Sequence, residues 1–114
     1  MNITGVNTLN ELDTLELICT SSQPATLHWL KRSSTGDSVK KIIATSRITI
    51  NFQSQAVGTE GESMAHSNLT IRSAVESDSG DYVCVANSDV NTLPTTVNHT
   101  VHINGRKHND IVRI

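Results

Sequence analysis

The chain has 114 residues, enough for one ordinary domain with a single core and too few for two. A net charge of −2, from nine basic and eleven acidic side chains, offers no electrostatic footprint for nucleic acid, and one Trp, one Tyr and one Phe supply no base-stacking platform. Threonine, valine, isoleucine and serine dominate while the long helix formers are sparse, which argues against a helix-rich fold.

Short runs of alternating or branched apolar residues recur between clusters of Gly, Ser, Asp and Asn, the pattern of an antiparallel sandwich of seven or eight strands. The first strand is the least defined. In Leu15 to Cys19, residues Leu15, Leu17 and Cys19 share an inward face and Glu16 faces water. Thr26 to Lys31 places Leu27 and Trp29 together and runs into the turn residues Ser33 to Asp37. Val39 to Ala44 and Arg47 to Phe52 read as two strands joined by Thr45-Ser46, with Ile48, Ile50 and Phe52 inward on the second.

Gln53 to Ser63, with Gly58 and Gly61, lacks apolar periodicity and reads as a long mobile hairpin loop. Alternation resumes at Asn68 to Ile71, with Leu69 and Ile71 inward. Ser77 to Gly80 is a turn, Tyr82 to Asn87 a strand with Tyr82, Cys84 and Ala86 on one side, and Ser88 to Pro94 another turn. Val97 to Ile103 closes the sheet, turning Val97, Val101 and Ile103 inward and Asn98, Thr100 and His102 outward. The domain is therefore expected over residues 1–105, followed by a patternless tail or linker over 106–114.

Cys19 and Cys84 are too far apart for a zinc knuckle or a CxxC redox site, so a single long-range disulfide is the natural reading. It would close a loop of about 66 residues and contribute on the order of 4 kcal/mol. Such a bond implies an oxidising compartment, and the N-x-[ST] sequons at Asn2, Asn68 and Asn98 point the same way, although a chain rich in Ser and Thr also generates sequons by chance. No apolar run is long enough to span a bilayer, and Met1 is expected to be an expression start, with any signal sequence or anchor outside this fragment.

The order Cys19, Trp29, Cys84, with Asp78-Ser79-Gly80-Asp81-Tyr82-Val83-Cys84 at the second cysteine, resembles the immunoglobulin superfamily signature over most of the chain. That resemblance implies a Greek-key sandwich of two antiparallel sheets joined by the disulfide, with Trp29 packed on it and Tyr82 forming a tyrosine corner. Leu17, Leu69 and Ile71 complete the expected core. The resemblance also implies a salt bridge between Arg47 and Asp78. The short Cys19 to Trp29 spacing and Leu12, where a turn glycine is common, depart from the pattern. The length between Trp29 and Leu69 suits an I-set or variable-like domain, and the stretches Asp78 to Asp89 and Thr100 to Gly105 resemble the second immunoglobulin domain of the insect defective-proboscis-extension-response neuronal surface proteins.

Chemistry is sparse. His99 and His102, three residues apart on a strand, point to opposite faces, so with His108 they make no metal site; no metal or cofactor is expected. No GxSxG elbow or phosphate-cradling glycine loop is present, and the reading is not an enzyme. Parity instead turns Leu30, Val83 and Val85 outward together, a candidate face for a protein partner, with another immunoglobulin domain, homophilic or heterophilic, among the candidates; an edge hairpin or adjacent domain is the alternative cover. Neither nucleic acid nor direct membrane insertion is expected. Asn98 shares that face and Asn68 the opposite one. Sugars on both would suit a structural spacer, the alternative to an extracellular recognition or adhesion module.

Overall fold

The computed structural model describes residues 1–23, 25–33, 38–54, 65–87 and 93–105. Among the described residues, nine strands follow in chain order: β1 (Asn2–Gly5), β2 (Thr8–Asn10), β3 (Leu15–Ser21), β4 (Thr26–Arg32), β5 (Val39–Lys41), β6 (Ile48–Ser54), β7 (Ala65–Ile71), β8 (Gly80–Asn87) and β9 (Thr95–Asn104). They form a four-stranded sheet in the order β1-β3-β7-β6 and a five-stranded sheet in the order β2-β9-β8-β4-β5. Every pairing is antiparallel except that of β2 with β9. The fold is all-β and an immunoglobulin-like sandwich.

Alternation explains the core. Along β3 and β7 every second residue is buried, so Leu15, Leu17 and Cys19 meet Ala65, Ser67, Leu69 and Ile71 on one inner face. Leu27, Trp29, Tyr82, Cys84, Val101 and Ile103 fill the other. Cys19 and Cys84 are disulfide-bonded across the gap. Cys84 is the register partner of Trp29, and Cys19 that of Ser67. The indole N–H of Trp29 donates to Ser67 Oγ at 3.0 Å, so a second inter-sheet link lies beside the covalent one.

One end of the sandwich is closed around Asp78. A 3-10 turn over Glu76–Asp78 leads into β8, where the sequence suggested a plain turn. Arg47 Nη1 donates to Asp78 Oδ2 at 2.9 Å, and the Val75 backbone N–H donates to the same oxygen, also at 2.9 Å. The Tyr82 hydroxyl donates to the Asp78 backbone carbonyl, and burial pushes that phenol well above its usual range. Gly80 follows with a φ of +149°, where a Cβ would come within 2.6 Å of the Arg32 carbonyl; only glycine lets β8 start this close to β4.

Several expectations need correcting. The first strand is split, β1 pairing with β3 in one sheet and β2 with β9 in the other. β5 ends at Lys41 rather than Ala44, although Ile42 still donates its N–H to the Trp29 carbonyl at 2.9 Å. Phe52, expected inward, is 41 % exposed. It has the parity of Ile48 and Ile50, but β6 is an edge strand and β5, the edge strand of the other sheet, has only three residues, all exposed, so among the described residues its far end is left uncovered. Gln53 and Ser54 belong to β6, while positions 55–63 of the expected loop, 34–37 and 88–92 of the expected turns, and the tail 106–114 lie outside the described residues.

Leu12 takes up a φ of 80° in the β2–β3 turn, a left-handed conformation that glycine adopts more easily, which accounts for its departure from the expected turn residue. Its N–H donates to the Ala74 carbonyl at 2.7 Å, and Ala74 returns a bond to the Asp13 carbonyl at 2.9 Å. The side chain is exposed, so little packing is lost on truncation.

Ser67→Ala strands the buried indole N–H and is expected to lower stability by about 1–3 kcal/mol in urea unfolding. Leu12→Gly is expected to raise it by about 0.5–1 kcal/mol, the relief of left-handed strain less the added chain entropy. An unchanged or lower unfolding midpoint for Leu12→Gly shows that the turn carries no such strain.

Candidate functional site

The outer face of the five-stranded sheet is built from the strands that Trp29 and Cys84 hold in place from within. Register aligns Val83 with Leu30 on one side and Asn98 on the other, and Val85 with His28 and Thr96. The three residues Leu30, Val83 and Val85 therefore do point outward together. Outward direction does not bring the expected exposure, however: Val83 and Val85 are only 5 % and 6 % exposed. β8 is interior to the sheet, so its short branched side chains are flanked on both sides, by His28 and Leu30 on β4 and by Thr96 and Asn98 on β9. Leu30 is half-buried.

Apolar surface is presented one strand further out. Val39, beside Arg32 on the edge strand β5, is 51 % exposed. Lys41, the register partner of Leu30, is exposed, and Ile43, next after the core-packed Ile42, is 65 % exposed. Val39 and Lys41 share one side of β5, and Ile43, just past the strand, adds exposed apolar surface beyond them, an apolar ridge with a cation at its centre.

The ridge is basic. Arg32 and Lys41 stand on this face of β4 and β5, while Lys31 and its register partner Lys40 have the opposite parity; Asp81 lies 3.9 Å from Arg32 with both side chains partly exposed. A pair that long and open contributes little. Lys31 reaches back to donate to the Ser77 carbonyl at 2.7 Å. Burial, and then the charge of Lys41, hold the His28 imidazole below its ordinary value, and Asn87 Nδ2 lies 3.4 Å from His28 Nδ1, where an unprotonated ring nitrogen accepts.

All three sequons place Asn and Thr two apart on the outward side of a strand: Asn2 on β1, Asn68 on β7 and Asn98 on β9. Asn2 and Asn98 are exposed; Asn68 is half-buried, with its Oδ1 buried and without a hydrogen-bond partner. Thr100, of the Asn98 sequon, donates to Asp81 Oδ1 at 2.6 Å. His99 bonds through Nε2 with the Val6 carbonyl at 2.9 Å and is half-buried, whereas His102 is exposed, in keeping with opposite directions on β9; His108 lies outside the described residues.

A family model described as an immunoglobulin domain matches residues 2–88. No curated protein matches the chain. Among solved structures, the titin M3 domain superposes with a TM-score of 0.59 at 19 % identity, covering 85 % of this chain and 85 % of that one. A chain of a titin M10–obscurin-like 1 Ig complex gives 0.60 at 16 % identity, covering 91 % and 95 % respectively. At these identities the likeness speaks for the fold alone, and with 611 chains sharing it the fold selects no partner.

The depressed His28 titration has a definite sign. The unfolded chain binds this proton at a higher pH than the folded one, so stability is full above the ordinary value of 6.5 and falls as pH drops through the folded value. Urea midpoints at about pH 7.5 and about pH 5 are expected to differ more for the native chain than for His28→Gln, which keeps an acceptor for Asn87 but does not titrate. Equal differences rule out this group as a contributor.

Proposed function

Because this chain belongs to the immunoglobulin domain family, we propose that it is a recognition module of a secreted or cell-surface protein, docking a protein partner on the β4–β5 half of its five-stranded sheet. The observation that carries this reading is the ridge of exposed Val39 and Ile43 around Lys41, beside half-buried Leu30. Exposed apolar side chains rimmed by charge are the composition of a protein contact surface. The surrounding cations favour a partner that offers carboxylates around an apolar centre.

Extracellular placement is supported by the Cys19–Cys84 disulfide together with the outward sequons. The I-set reading draws support from the first strand divided between the sheets and from the single short strand β5. The resemblance to insect neuronal surface proteins fits a role in cell-surface recognition, through another immunoglobulin domain or an unrelated protein. A sugar at Asn98 is compatible with this face, since β9 and β5 are three strand steps, about 14 Å, apart, which puts the glycan at the rim.

A second reading, a spacer between sibling domains, is favoured by sequons on both outer faces, at Asn68 and Asn98. The two separate in one experiment. The glycosylated domain, multimerised for avidity, is screened against an array of secreted ectodomains, and its glycopeptides are mapped. Recognition predicts at least one protein binder, weakened about tenfold or more by Lys41→Glu or Ile43→Asp at unchanged melting temperature and unaffected by Thr70→Ala. Binding indifferent to Lys41→Glu and Ile43→Asp removes this face. No binder, with Asn68 and Asn98 fully occupied, leaves the spacer.

A further inference from the structure

The outer edges of the two sheets are guarded unequally. β2 has three residues, β1 has four, and β5 carries Lys40 and Lys41; short length and lysine are devices that discourage edge pairing. β6 has none of them. It runs seven residues, Ile-Thr-Ile-Asn-Phe-Gln-Ser, with no charge, proline or glycine, and among the described residues nothing pairs with its outer side.

We propose that β6 is a homotypic contact, through which two copies of this chain pair edge to edge and antiparallel about a two-fold axis at Asn51. Hydrogen-bond direction sets the register. Ile48 turns its backbone away from β7: its N–H donates to Thr45 Oγ1 at 3.1 Å and its carbonyl accepts from the Thr45 N–H at 2.9 Å. On the β7 side, Arg72 donates to the Arg47 carbonyl at 3.0 Å. The two-residue period therefore points the N–H and C=O of Ile50 and Phe52 to the open edge and those of Thr49 and Asn51 to β7.

With the axis at Asn51, Ile50 of one copy faces Phe52 of the second, and both residues have their backbone groups free. Each such pair exchanges both N–H···O bonds, and the two-fold axis supplies the pair twice. The same register lays the exposed Phe52 ring beside an isoleucine, an aromatic and β-branched cross-strand pair that covers the ring left open by β5. Thr49 meets Gln53 and Asn51 meets its own copy, so no like charges oppose. Ile48, already satisfied by Thr45, stops the ladder. The contact is short and belongs to the weak, transient class.

This inference does not depend on the β4–β5 face, and the test keeps them apart. At a non-hydrogen-bonded antiparallel pair the Cα atoms approach to about 4.5 Å, within disulfide reach, so Asn51→Cys reports the axis directly. In a glutathione buffer at high protein concentration, the whole chain carrying Asn51→Cys is expected to form a disulfide-linked dimer at least about tenfold faster than one carrying Lys40→Cys at the opposite edge. Adding Phe52→Lys brings the rate down to the Lys40→Cys level with the native circular dichroism retained, and Lys41→Glu leaves it unchanged. Sedimentation of the native chain, without the added cysteine, shows concentration-dependent dimer that Phe52→Lys abolishes. Equal rates for the two cysteine variants, or a dimer indifferent to Phe52→Lys, overturn the proposal.

Discussion

Two links between the sheets, set side by side, hold everything else in register. The Cys19–Cys84 disulfide is the covalent one, and the bond from Trp29 Nε1 to Ser67 Oγ is its polar companion. Since Cys84 lies opposite Trp29 on one sheet and Cys19 opposite Ser67 on the other, the four residues close a rectangle through the middle of the core. A disulfide fixes a distance; the adjacent hydrogen bond also fixes which way the indole faces. Large apolar side chains on both inner faces then pack around a cross-link that cannot slide, because a one-residue slip would expose them all.

Asp78 plays a comparable part at one end. A single carboxylate oxygen accepts from Arg47, just before β6, and from the Val75 backbone, while the carbonyl of the same residue receives the Tyr82 hydroxyl of β8. Asp78 is largely buried and Arg47 partly exposed, so the charge pair is only moderately screened. Together the central rectangle and this clamp leave the middle strands of each sheet without freedom to change partners. Freedom to interact remains at the edges, β5 in one sheet and β6 in the other.

Those two edges are chemically unlike. β5 is basic, with apolar side chains standing outward from it, and suits a side-chain contact with an acidic-rimmed protein surface. β6 is neutral and offers unpaired backbone groups, which suits main-chain pairing with a strand like itself. The outward Asn98 lies on neither edge, and Asn68 is one strand in from β6.

Inward and outward parity was readable along Leu15 to Cys19, Thr26 to Trp29, Asn68 to Ile71 and Val97 to Ile103, because a strand's side chains alternate whatever the surroundings. The cysteines, Trp29 and the DSGDYVC run carried the family resemblance for the same local reason: each residue type answers a fixed steric demand. Parity does not tell how tall a neighbour is or whether a facing strand extends far enough. Hence Val83 and Val85 point outward yet are covered, Phe52 has inward parity yet is open, and Ser67, an ordinary serine by sequence, satisfies the buried indole. The sequence by itself determined direction along each strand; exposure, and with it the candidate contact surfaces, was decided only when the sheets were stacked and their edges set, since burial depends on residues distant in the chain.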